Sequence, residues 1–229
     1  TIMTWIPPRH MIRLKEQVNN IGYHYSDRSG FVDYYHAIDY VEELNTLMDE
    51  NIPLLLEKNC RLEAFELVNC VFYEIGNRDM DDSDGGISFI ANNCYEYWQT
   101  ILHECNDEEK EIMFQWFRHH QEDYVIDYME DYISDFLLNE FQDEEMLREK
   151  FSMLDEKIAK FQKENYSGDS YSAYYGMVSN ITARIFLMEE LNYSKQEIRA
   201  YRQKYRNFSE IRKMDTKVLD EVVVTAQGL

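Results

Sequence analysis

Two short segments, R-S-G-F-V-D-Y-Y-H-A (Arg28 to Ala37) and M-D-D-S-D-G-G (Met80 to Gly86), and the chain between them decide the fold. Gly30 breaks the chain and Asp33 is placed to cap. Apolar residues then recur at Ile38, Val41, Leu44, Met48, Ile52 and Leu55. Steps of three and four put them on one helix face. Pro53 predicts a kink or break near Asn51–Ile52, because it lacks an N–H and crowds the preceding turn. A second stripe, Leu62, Phe65, Leu67, Val68, Val71, Phe72 and Ile75, predicts a helix ending at Gly76. Phe31, just ahead of the cap, is expected to staple the first helix's entry. The stretch reads as a helical hairpin between two sharp loops.

The rest of the chain follows the same pattern. Of 229 residues only 8 are Gly and 3 Pro, too few for the turns of an all-β fold. Pro7–Pro8 predicts a helix through about Asn20 with Met11, Ile12, Leu14, Val18 and Ile21 inward, and Gly22 to Gly30 then reads as a polar loop. After the Asp-rich turn, Ile87 to His103 is expected to be helical, with Phe89, Ile90, Cys94, Tyr97, Trp98 and Ile101 on one side. Asn106–Asp107 caps a helix to about His120 that packs Ile112, Met113, Trp116 and Phe117. From Glu122 the composition turns acidic and aromatic. Helices are expected over Tyr124–Phe141, Asp143–Lys163, Ser170 or Ser172 to Glu190, and Lys195–Arg206, the last capped by Ser194 with Glu197 in a capping box. Ser209 opens another, and Val222 to Thr225 (V-V-V-T) reads as a strand or a frayed helix.

The expected fold is therefore all-α: about ten helices in antiparallel pairs, forming a TPR-like right-handed α-solenoid. A closed irregular helical bundle is the alternative. With no Pro-rich boundary, residues 1–229 read as a single helical-repeat domain. Four scattered cysteines (60, 70, 94, 105) on apolar faces suggest reduced thiols and a cytoplasmic location. No apolar run approaches a membrane span. A net charge of −21 disfavours direct contact with nucleic acid or an anionic membrane, both of which call for a basic footprint. The chain opens on Thr1 rather than methionine, which leaves room for a longer protein.

The pair G-F-V-D-Y-x-x-A (Gly30 to Ala37) and D-D-S-D-G (Asp81 to Gly85) resembles the helical region of bacterial SWIM zinc finger proteins. The likeness is clearest over about Arg13 to His120, within residues 1–121. It continues more faintly over 122–229, through L-N-Y-S-K-Q-E-I to F-S-E-I-R-K (Leu191 to Lys213). In that family the region lies C-terminal to the finger. The finger's own C-x-C and C-x-H pairs do not occur here, so its chemistry is not implied.

Candidates for chemistry are few. Asp79, Asp82 and Asp84 form a candidate weak cation site. An EF-hand is excluded by pattern, because Met80 stands at the first ligand position and Ala91 where the bidentate Glu belongs. The plainer reading is a tight turn whose Asp84 or Ser83 caps the next helix. His119–His120 and Asp33-x-x-His36 supply too few donors for a metal centre. No nucleophile elbow, phosphate loop or dinucleotide fingerprint occurs, so neither a catalytic residue nor a cofactor is expected. Lys195, Arg199, Arg202 and Arg206 recur at helical spacing and form a candidate basic face. Tyr124, Tyr128 and Tyr132 step by four and are the candidate lining of a partner groove.

These readings favour a non-enzymatic protein–protein interaction scaffold whose acidic faces take a protein or peptide partner of basic character. A nucleic-acid-associated module acting with a finger domain is the second reading. An enzyme with a site assembled between helices is the third, and it requires a deep pocket with convergent titratable groups.

Overall fold

A computed structural model of the chain describes residues 9–121, 129–163 and 171–214. The helices are α1 (Arg9–Tyr25), α2 (Tyr34–Glu57), α3 (Arg61–Gly76), α4 (Gly86–Glu104), α5 (Asp107–His120), α6 (Glu130–Glu140), α7 (Glu144–Lys163), α8 (Tyr171–Glu190) and α9 (Lys195–Lys204). A further helical segment occupies 209–214 at the edge of the described residues. No strand forms among the described residues. The two loops that flank the α2–α3 hairpin are nevertheless joined by one isolated parallel bridge between Val32 and Met80. The Val32 N–H donates to the Asp79 carbonyl and the Asp81 N–H to the Val32 carbonyl, both at 2.9 Å. Val32 is fully buried there and anchors the entry to α2, whereas Phe31, the expected staple, is 36% exposed.

Local chemistry sets the helix ends. Asp33 caps α2, its carboxylate accepting the His36 N–H at 3.1 Å. Asn106 with Glu109, and Ser194 with Glu197, form full capping boxes at α5 and α9. Such caps contribute about 1 kcal/mol each by satisfying otherwise orphaned donors. At α4 the cap differs from the expected Asp84 or Ser83. Gly85, at φ +74°, turns the chain in the left-handed region, and Asp82 Oδ1 reaches forward to the Ile87 N–H at 2.8 Å.

Three other expectations give way to packing. First, α1 runs to Tyr25 rather than stopping near Asn20, because Gly22 is a contact residue and not a loop breaker. A β-carbon there would stand 1.9 Å from Glu74 Oε1 and 2.4 Å from Arg78 Nη2. Second, α2 passes through Pro53 without a break. The proline faces solvent, where water can satisfy the carbonyl it leaves unpaired. Third, Ile12, Ile38, Phe89 and Ile112, all expected to point inward, are 45%, 51%, 51% and 46% exposed. Each lies at the border of an apolar stripe wider than the seam it covers.

The chain divides into two compact units, 1–140 and 141–229, where the sequence was read as one array. The boundary falls in the short 141–143 connection, which contains neither Pro nor Gly and so gives no compositional sign of a division. In the first unit Trp98 is fully buried, its ring 4.9 Å from Phe72, 5.0 Å from Phe117 and 5.5 Å from Phe136 between centroids. Its indole N–H donates to Asn69 Oδ1 at 2.9 Å, which gives this buried donor its partner. In the second unit α7, α8 and α9 close over Ile158, Met177, Ile181, Ile185, Phe208 and Ile211. The Arg184 guanidinium lies 4.0 Å from the centroids of both Phe151 and Tyr201, and binds Asp155 at its edge.

Side-chain pairs fix the helix directions in the first unit. Lys15 meets Glu66 and Gly22 lies under Glu74, so α1 and α3 run parallel. Arg61 meets Glu109 and Tyr73 meets His120, so α3 and α5 do as well. Asn45 meets Asn93 and Asp49 meets Tyr97, which makes α2 and α4 parallel. Asn92 meets Tyr132 and Gln99 meets Glu140, which adds α6 to that set. Consecutive helices are antiparallel. The unit thus has an odd row, α1, α3 and α5, and an even row, α2, α4 and α6.

Candidate docking face

The two rows differ in charge. Helices α2, α4 and α6 together carry twelve carboxylates and neither a lysine nor an arginine, whereas α1, α3 and α5 carry six of those cations. Exposed carboxylates without neighbouring cations create a field of one sign, which attracts positively charged ligands.

Along α2, Tyr34, Ile38, Glu42, Asn45 and Asp49 step by four, four, three and four and so share one side of the helix. Phe89, Asn93 and Tyr97 step by four on the facing side of α4. A close approach at Gly86, where a β-carbon would lie 2.9 Å from Val41 Cγ2, brings the start of α4 against α2. Further along, the seam opens into a groove of about 370 Å³ lined by Asn45, Asp49, Asn93, Glu96, Tyr97 and Thr100. Within it Asn93 Nδ2 donates to Asn45 Oδ1 at 2.7 Å, and Asn45 Nδ2 donates to Asp49 Oδ2 at 2.9 Å. The Tyr97 hydroxyl donates to the other Asp49 oxygen. Partial burial and the Asp49 charge push the Tyr97 pKa up, so its proton stays in place and it remains a donor. Three uncharged side chains thus orient one exposed carboxylate.

Tyrosine–carboxylate pairs recur elsewhere. Tyr95 donates to Glu140 at 2.8 Å and Tyr174 to Glu210 at 2.5 Å. Tyr40, buried, donates to Glu74, which also takes the Arg78 fork. Tyr25, held against Glu43, has its pKa pushed up to about 12. A second groove, about 510 Å³, lies between α1 and α2, lined by Gln17, Asn20, His24, Glu43 and neighbours.

The sequence candidates fall as follows. Tyr124 and Tyr128 lie outside the described residues, as do Val222 to Thr225. Tyr132 is on α6, its ring against Phe72 and Tyr95 and its hydroxyl donating to Asn92 at 3.1 Å. Asp79 supplies a carbonyl to the loop bridge, Asp82 caps α4 and Asp84 is exposed. Among the described residues no three His, Cys, Asp or Glu side chains gather to hold a metal ion. His119 and His120 turn back to the Gln115 and Trp116 carbonyls, and His120 stacks on Trp116 at 4.3 Å. Asp33 holds His36 Nδ1 at 2.7 Å. In α9, Lys195 and Arg199 are exposed, while Arg202 is drawn to Glu189 at 3.1 Å. Because α9 ends at Lys204, not Arg206 as expected, Arg206 does not extend its helical face. All four cysteines carry free thiols, and burial pushes Cys70 and Cys105 up to about 11.

Asp49, Asn45 and Asn93 were not singled out from sequence, and Tyr97 was assigned to the core. The available signal was the absence of Lys and Arg from alternate helices. Among the described residues no helix is long and apolar enough to cross a membrane. Comparison with known protein families, with curated proteins and with solved structures finds no match.

Proposed function

We propose that the chain is a helical-repeat module, of the kind it resembles in SWIM zinc finger proteins, and that it acts as a non-enzymatic scaffold for protein partners. The alternation of parallel rows in the first unit is what stacked helical pairs produce, and it supports the TPR-like reading. The observation that carries the functional reading is the charge segregation. A row of three helices with twelve carboxylates and no Lys or Arg favours a basic protein segment.

Because a net charge of −21 attracts any polycation, the test must report where binding occurs. Amide chemical-shift mapping of the full chain, titrated with decaarginine at about 0.15 M salt, does so. The reading expects perturbations concentrated on α2, α4 and α6. Equal perturbation of α1, α3, α5 and the second unit would refute it. For the nucleic-acid reading the exposed Lys195, Arg199 and Arg206 remain the relevant cations. Failure to retain an oligonucleotide at low salt removes that reading as a direct activity.

A further inference from the structure

We propose that the α2–α4 seam is the recognition element of this face, reading an extended partner segment that presents a bulky apolar residue and, about five positions away, an arginine. The inference rests on the docking reading above and deepens it. Two halves of the seam carry different chemistry. At the N-terminal half of α2, Tyr34 and Ile38 are 47% and 51% exposed, and Phe89 of α4 is 51% exposed. These are large apolar side chains left to water beside the closed part of the seam, before the groove opens, the composition of an anchor site.

At the other end stands Asp49. Each of its oxygens already accepts one bond from within the fold, from Asn45 and from Tyr97. A carboxylate oxygen has capacity for two, so one acceptor position remains on each. A guanidinium presents parallel N–H donors matched to such a pair, whereas an ammonium does not. The carboxylate is fixed before the ligand arrives, so less ordering entropy is lost on binding. Glu96 and Glu42 flank the seam, and α2 and α4 contain no Lys or Arg to compete. The spacing follows from helix geometry. Ile38 and Asp49 are eleven residues apart on one helix, about 16 Å at ~1.5 Å per residue. An extended strand covers that distance in about five residues at ~3.3 Å each.

The probes are fluorescein-labelled octapeptides of Gly, Ser and Thr with Leu at the second and Arg at the seventh position, in both orders. Each is paired with a peptide in which citrulline, neutral and nearly isosteric, replaces Arg. Polarisation titration of the full chain should show one order binding at least about tenfold more tightly than its citrulline counterpart. Asp49→Asn, close in shape, should abolish that preference. Phe89→Ser, at an exposed position, should weaken both peptides of the pair by a similar factor while leaving the Arg preference intact. Equal binding of the Arg and citrulline peptides in both orders overturns the proposal, as does a preference that survives Asp49→Asn. If decaarginine still maps to the even row in that case, the face stands and the seam assignment alone falls. If it does not, both fall.

Discussion

Replacing Asn69 by Leu tests the organisation of the first unit most directly. Asn69 is 8% exposed and exists, structurally, to accept the Trp98 indole N–H at 2.9 Å. Leucine has the same branching and number of side-chain heavy atoms, though a larger volume, and no acceptor, so the change leaves a donor buried among Phe72, Phe117 and Phe136 with its partner removed. An orphaned buried donor costs about 1–3 kcal/mol, so about 2 kcal/mol is expected. For a unit of this size that lowers Tm by roughly 6 °C. Trp98→Phe removes the donor, but leaves a cavity at a fully buried position of the core and costs about 2–3 kcal/mol. In the double variant Asn69→Leu/Trp98→Phe the donor and the acceptor are gone together. Its cost should fall short of the sum by about 1–2 kcal/mol. Urea denaturation followed by far-UV circular dichroism, together with intrinsic tryptophan fluorescence, measures all three. If Asn69→Leu lies within about 0.5 kcal/mol of the parent, or the two changes simply add, the account of this core is refuted.

Three further outcomes are expected. Gly86→Ala places a methyl 2.9 Å from Val41 Cγ2 and should cost about 1–2 kcal/mol in thermal denaturation, with Val41→Ala in the same chain recovering much of it. Arg184→Lys keeps the charge but loses the planar stack on Phe151 and Tyr201, and should destabilise by about 1 kcal/mol in a urea titration of the second unit. Asp135 has its pKa raised by partial burial and by Asp131, so the folded state disfavours its charge. Asp135→Asn should therefore raise Tm at pH 7. The gain should fade as pH drops through the raised pKa, where the parent carboxyl protonates. Because the group is largely exposed the effect is small, on the order of 1 °C.

Much of this architecture was legible in the sequence for a definite reason. Helix starts announce themselves through side chains that bond their own backbone, and Asp33, Asn106 and Ser194 all cap as read. What escaped was set by neighbours distant in sequence. Gly22 looks like a loop residue until Glu74 and Arg78 are seen lying across it. Ile38 and Phe89 satisfy the helical period, yet border the seam rather than fill it. The docking face was harder still, because charge along the chain is acidic nearly everywhere. Its segregation appears only once alternate helices are known to stand side by side. Asp49 carried no motif, since its orientation comes from Asn45 one turn earlier and Tyr97 on another helix.

The bridge between Val32 and Met80 has a consequence for how the molecule can be rearranged. It brings the two ends of the α2–α3 hairpin to one point, tied by two backbone hydrogen bonds rather than by side chains. Closing the intervening loop carries an entropy cost that grows only slowly with its length. Helices could therefore be lengthened or exchanged between those two points while the chain still leaves the hairpin where it entered. The hairpin is in that sense a cassette. The residues Gly30 to Asp33 and Asp79 to Asp81 form its clasp, and their two signatures lie far apart in sequence because they are halves of one joint.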